Sequence, residues 1–233
     1  MNLKLMKTSS WAFLTLIILS LFLGVRADWL IYATATAVIL VALLFFEFEG
    51  RHSDSRMVSL VGVLVALTAC SRQLLHGIEF SPVFFIVILT GYVYGFTPGF
   101  AVGALSMFIS NFFLGHGPWT PFQMFGLGLT GAFASKLPKN QKYAIILLTF
   151  YSVCSAFLYG ALVDVFSWIA FIPTHTLESF IGIISSGMIA NLARAVGNIF
   201  FMIILGPVLL KVFLRFKRRL TYVRVNTIRD GPT

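Results

Sequence analysis

The sequence predicts an all-α integral membrane protein of about eight transmembrane helices: a six-helix core preceded by an N-terminal two-helix hairpin. Three observations carry this. Of 233 residues, 58% are hydrophobic and only 11% are charged, against about 25% charged in a soluble domain, and the mean hydropathy is +0.93. The apolar residues lie in runs near the roughly 20 that a helix needs to cross about 30 Å of hydrocarbon. Those runs are far too long for barrel strands, and only helices or closed barrels satisfy their backbone in lipid.

The runs give the elements in order. Residues 11–25 and 29–46 are plain apolar helices and form the hairpin, domain 1–50. The first follows Lys4 and Lys7 and ends in Val25-Arg26-Ala27, which fits either a retained signal anchor or a cleaved signal peptide. A polar linker, "EFEGRHSDSR", follows. The core, 57–216, then holds spans at 57–75, 82–95, 98–114, 120–137, 143–170 and 181–216. The last is too long for one crossing, and "SSG" at 185–187 is its expected break, which starts the crossing helix near Met188. Residues 217–233 make a basic tail.

Orientation follows Lys and Arg, which favour the cytoplasmic side. Fourteen of the 17 lie on the segments that share a side with the N-terminus; Arg26 and Arg72 lie on the other side and Arg194 within a span. Both termini are therefore expected in the cytoplasm if the first helix is retained, in a multi-pass protein of the cell membrane. The net charge of +9 is an inner-leaflet anchor, since its residues sit at segment ends and in the tail, and nucleic acid is excluded as a partner. Cys70 and Cys154 lie within apolar runs and are too few for a disulfide framework or a zinc site.

The stretch "NFFLGHGPWTPFQM", 111–124, is the most conspicuous break. Gly115 or Gly117 ends one helix in a left-handed conformation and Pro118 prevents its continuation. Thr120 and Gln123 read as a capping box, with Pro121 at the first helical position and Trp119 stapled onto Met124. Every residue but His116 thus has a structural role in an outer turn. The alternative is a ligand wall, in which Asn111, His116, Trp119 and Gln123 present a stacking surface and hydrogen-bonding groups.

Asn191, Arg194 and Asn198 share one helix face by their spacing. A charge inside the membrane is costly and marks either function or an internal pair, here with Asp164 or Glu178. Further polar residues, Arg72, His76, Glu79, Asp164 and His175, collect in outer loops, so a pocket open to the outside is expected. No Gly-x-Ser-x-Gly elbow, His-Glu-x-x-His or P-loop is present. The chain is expected to be no enzyme, to carry no metal or cofactor of its own and not to use ATP itself. Gly62, Ala66 and Cys70 form a small-residue seam that lets another helix approach, either within the bundle or from a partner.

The core resembles the substrate-binding S components of energy-coupling factor (ECF) vitamin importers, especially the cobalamin type. The resemblance rests on "GVLVALTACSRQLL" (62–75), on 82–137, where "GFAVGALSMFISNFFLGHGPWTPFQM" is most specific, and on "ARAVGNIFFMIILGPVLLKVFLRFKRRL" (193–220). It implies a six-helix subunit that captures cobalamin or a related corrinoid outside and docks on a transmembrane T subunit carried by two ATP-hydrolysing subunits. Gly62 and Ala66 match the family's docking seam. Asn191 and Arg194 stand where the family pattern usually has an acidic residue and a histidine. Another vitamin or precursor as cargo is the alternative within this class; an intramembrane enzyme or a structural membrane subunit is the alternative outside it.

Overall fold

Apolar runs punctuated by glycine, proline and charge fold into helices whose ends fall at those breaks. The protein is described by a computed structural model covering residues 39, 55–75, 77, 79–117, 119–139 and 142–230, with 221–230 described by backbone alone. The expected N-terminal hairpin, apart from residue 39, lies outside the described residues, as do His76 and Pro118. Seven helices are present from residue 55 onward: α1 (Ser55–Leu74), α2 (Val83–Tyr94), α3 (Phe96–Leu114), α4 (Thr120–Ala134), α5 (Ala144–Phe171), α6 (Leu177–Ile204) and α7 (Gly206–Asp230). No strand occurs among the described residues.

The fold is all-α, as expected, but the count of eight spans is not what these helices give. Four of them, α1, α3, α5 and α6, are long and apolar enough to cross a membrane. The run at 181–216 is two helices, and its break lies at Leu205, not at "SSG". The reason is local. Ser186 stays helical by returning its hydroxyl to the Ile183 carbonyl at 2.7 Å. Gly187 is small because the Asp164 carboxylate of α5 lies against it, where a Cβ would collide. Pro207, one residue into α7, is tolerated in a first turn and not in a helix interior. Arg194 therefore lies about 26 Å along α6 at 1.5 Å per residue, not in the first two turns of a helix starting near Met188.

α2 is the centre of the bundle. At 12 residues it is about 18 Å long, short of the hydrocarbon thickness. Every residue from Val83 to Val93 is buried, as suits a helix that is apolar all round. It touches each of the other six helices. α3 and α4 reach it through glycine: the Gly131 carbonyl fits against Gly91 and Gly99, leaving no room for a Cβ on either. Small residues allow this close backbone approach in membranes.

The final carbonyls of α2 are satisfied from three directions. Gly95, at φ 108°, donates its N–H to the Gly91 oxygen at 3.0 Å. Lys139 Nζ donates to the Tyr92 oxygen at 2.6 Å and Lys217 Nζ to the Val93 oxygen at 2.6 Å. Cations are favourable at this negative end of a helix dipole. Lys139 also lies over the Tyr92 ring, 3.8 Å from its centroid. Desolvation, and secondarily the charge of Lys217, lower its pKa from 10.5 to about 8.

Two predictions follow from these contacts. Gly131→Ala forces a methyl into the Gly99 backbone and costs about 1–3 kcal/mol; Gly62→Ala, at a site with open space, should leave melting unchanged. Both are read by thermal unfolding in detergent. For Lys139, the folded state binds fewer protons than the unfolded chain between pH 8 and 10.5, so stability rises with pH across that window. Melting scans at pH 8 and 9.5 should show this rise in the wild type and lose it in Lys139→Met.

Candidate functional site

Of the described residues between α1 and α2, Phe80 packs on α6, with its backbone against Gly197 and its ring beside Phe200 and Phe201. A recess of about 190 Å³ lies beside it, walled by Arg72 and Leu75 of the α1 end, Gly77, Glu79 and Ser81 between α1 and α2, Val83 and Phe84 of α2, Met107, Gln123, Tyr159 and Val163, and Arg194 of α6. Among the described residues, the lining carries three formal charges, on Arg72, Glu79 and Arg194.

Two hydrogen-bonded groups shape it. The first is built on Asn111, buried in the last turn of α3. Arg72 Nη1 donates to Asn111 Oδ1 at 2.7 Å and to Ser110 Oγ at 2.6 Å. Asn111 Nδ2 donates to Thr120 Oγ1 at 3.0 Å and to Gln123 Oε1 at 2.9 Å. This explains why the expected capping box is absent. Thr120 is the first residue of α4, Trp119 precedes it, and no side-chain cap bond forms; the buried amide of Asn111 takes both acceptors. A capping box does form at the start of α6, between Thr176 and Ser179.

The second group is built on Arg194. Its Nε and Nη2 both lie 3.0 Å from Glu79 Oε2, and its Nη1 donates to Asn191 Oδ1 at 2.6 Å. Its guanidinium is 5.3 Å from the Tyr159 ring centroid. The Arg194 side chain is 13% exposed and that of Glu79 50%. Arg194 is thus paired, as a charge in the membrane must be, but with Glu79 and not with Asp164 or Glu178. Glu79 has φ 54°, a left-handed conformation that costs a non-glycine residue about 1–2 kcal/mol. Asn191 is seated by Gly160 of α5, against which its amide packs.

The residues predicted from sequence therefore separate. Gln123 and Arg194 line the recess, and Asn111 and Asn191 stand behind lining arginines. His116 and Trp119 do not line it: His116 packs its ring on Phe108 and Phe112, and Trp119 lies over Gly117 and beside Phe171. Burial lowers the His116 pKa below its ordinary 6.5 and favours the neutral ring. Asn198 is elsewhere, tying α6 to α5 by donating to the Ser152 carbonyl at 2.9 Å. Gly62 and Ala66 are exposed along α1. Arg72, Glu79 and Tyr159 also line the recess: the first two are expected from sequence only as outer-loop charges around a pocket, and Tyr159 is not expected at all. The first two were visible as charges gathered near one break; Tyr159 sits in an apolar run and gives no signal. No cluster of metal-ligating residues occurs among the described residues.

A polytopic helical membrane protein with a charged recess sunk between its helices belongs to the class that binds polar solutes within the membrane. The sequence over residues 52–215, well over half of the chain, matches the family described as ECF-type riboflavin transporter, S component. The chain belongs to that family. It is a vitamin-capture subunit of an ECF transporter, a multi-pass membrane protein and not an enzyme. Membership implies association with an ECF T subunit and ATPase module. Comparison with curated proteins and with solved structures returned no match.

Asn111→Ala removes the shared partner of Arg72, Thr120 and Gln123. Leaving such groups unsatisfied costs about 1–3 kcal/mol, to be read as lowered melting in detergent.

Proposed function

We propose that the protein captures a planar vitamin of flavin size at the recess, with that end of the bundle facing outside and both lysine caps of α2 on the cytoplasmic side. The observation that carries this is the recess itself, a polar cavity in the membrane walled by Arg72, Glu79, Gln123, Tyr159 and Arg194. The family's name adds riboflavin as the expected type of cargo. A corrinoid, the cargo first expected, is larger than a flavin and asks for a wider opening still. Even for drug-sized ligands, pockets run to about 300–1,000 Å³, so the recess of about 190 Å³ requires the loop at 75–82 to move on entry. The Glu79–Arg194 pair is the contact that motion breaks, and the left-handed backbone at Glu79 lowers its cost.

The exposed Gly62 and Ala66 seam serves the T subunit. Among the described residues, nothing lies within reach of a Cβ at Gly62, so this face is left for another helix.

Riboflavin fluorescence quenching by the purified protein tests the cargo, with cobalamin co-elution on gel filtration as the competing outcome. Arg194→Gln should weaken flavin binding by about tenfold to a hundredfold, the equivalent of about 1.5–3 kcal/mol for a charged hydrogen bond. Ala66→Leu should abolish uptake and leave binding intact; uptake that survives this change overturns the docking assignment.

A further inference from the structure

We propose that the recess selects a cargo carrying an anionic group, a carboxylate or phosphate, and seats that group on Arg72. This rests on the capture reading above, keeps its flavin-sized ring and narrows the cargo to a carboxylated or phosphorylated relative, since riboflavin itself is neutral.

The argument begins with charge balance. Among the described residues, two guanidiniums and one carboxylate line the recess. Arg194 is matched by Glu79 at 3.0 Å. Arg72 is not: among the described residues no carboxylate lies within ion-pair distance of it, and its acceptors, Ser110 Oγ and Asn111 Oδ1, are neutral. Asp164, the other acid of this region, lies over Gly187 between α5 and α6 and does not line the recess.

Geometry agrees with charge. Both bonds of Arg72 leave from Nη1, so Ser110 and Asn111 fix the plane of the guanidinium. Its Nε–Nη2 edge makes no hydrogen bond to any described residue. That edge is a planar fork that matches a carboxylate or phosphate with two parallel bonds. The field of α2 adds to it. Ser81, Val83 and Phe84 line the recess at the N-terminus of α2, where Pro82 precedes the helix and no side chain caps it. This is the positive end of the helix dipole, with backbone N–H groups directed along the axis. A neutral cargo leaves the Arg72 charge without a counterion; an anion supplies it.

The test uses small rings of one size that differ in charge: benzoate, phenyl phosphate and benzamide. Each is titrated into the purified full-length protein, with binding read by ligand-observed NMR and thermal shift. The expected result is at least tenfold tighter binding of benzoate or phenyl phosphate than of benzamide, and which of the two anions is preferred identifies the group. Arg72→Gln should erase the preference. Because Arg72 also anchors Asn111, Arg72→Lys keeps the charge and should retain a reduced preference. Glu79→Gln removes the carboxylate that lines the recess among the described residues and should strengthen anion binding several-fold. Equal binding of benzoate and benzamide, no binding of any of the three, or a preference that persists in Arg72→Gln overturns the proposal. An acid-over-amide preference in a protein that binds no flavin leaves the anion seat standing and removes the flavin reading; flavin binding without that preference does the reverse.

Discussion

α2 is 12 residues long in a bilayer that asks about 20 of a crossing helix. The rest of the structure is arranged around that shortfall. A helix of this length does not cross by itself, so it is surrounded on all sides, and its neighbours do the crossing. The missing length at its N-terminal end is filled by a loop, and next to the loop is the space that becomes the recess. At its C-terminal end the last carbonyls have no partner within the helix. Lys139 and Lys217 extend their long side chains to them, which is what a flexible four-carbon stem allows.

The polar residues follow the same plan. Two deep polar side chains are held by a small residue opposite: Asn191 by Gly160, and Asp164 by Gly187. The glycines are contact residues, and their positions decide which side chains are drawn into the bundle. Arg72 and Arg194 come from opposite ends of the core sequence and are brought to one recess by the fold. Neither arginine is supported by its own helix alone: one relies on Asn111 of α3 and the other on Glu79 of the loop.

Much of this is legible in the sequence. The starts and ends of α1 to α5 fall within a few residues of the apolar runs, because glycine, proline and charge mark the breaks at 76–82, 95, 115–119 and 135–143. The pairing of Asn191 with Arg194 follows from their spacing. Other features are not legible for physical reasons. Gly187 reads as a breaker when taken alone, and only the presence of Asp164 on another helix makes it a contact. Thr120 and Gln123 have the chemistry of a capping box, but a buried amide nine residues earlier competes for both. The Glu79–Arg194 pair spans 115 residues, and no local pattern reports a contact of that range.

The burial of α2 also bears on how the protein is made. A translocating chain is sampled by the membrane one segment at a time, and a segment of 12 residues does not remain across the bilayer on its own hydrophobicity. α2 therefore enters together with a neighbour, and the single residue Gly95 joining it to α3 makes that helix its natural escort. Its final seat exists only once α5 and α6 have been synthesised, because both contribute to the wall around it. Biogenesis is thus a waiting process, in which the innermost helix emerges early from the ribosome and reaches its place late.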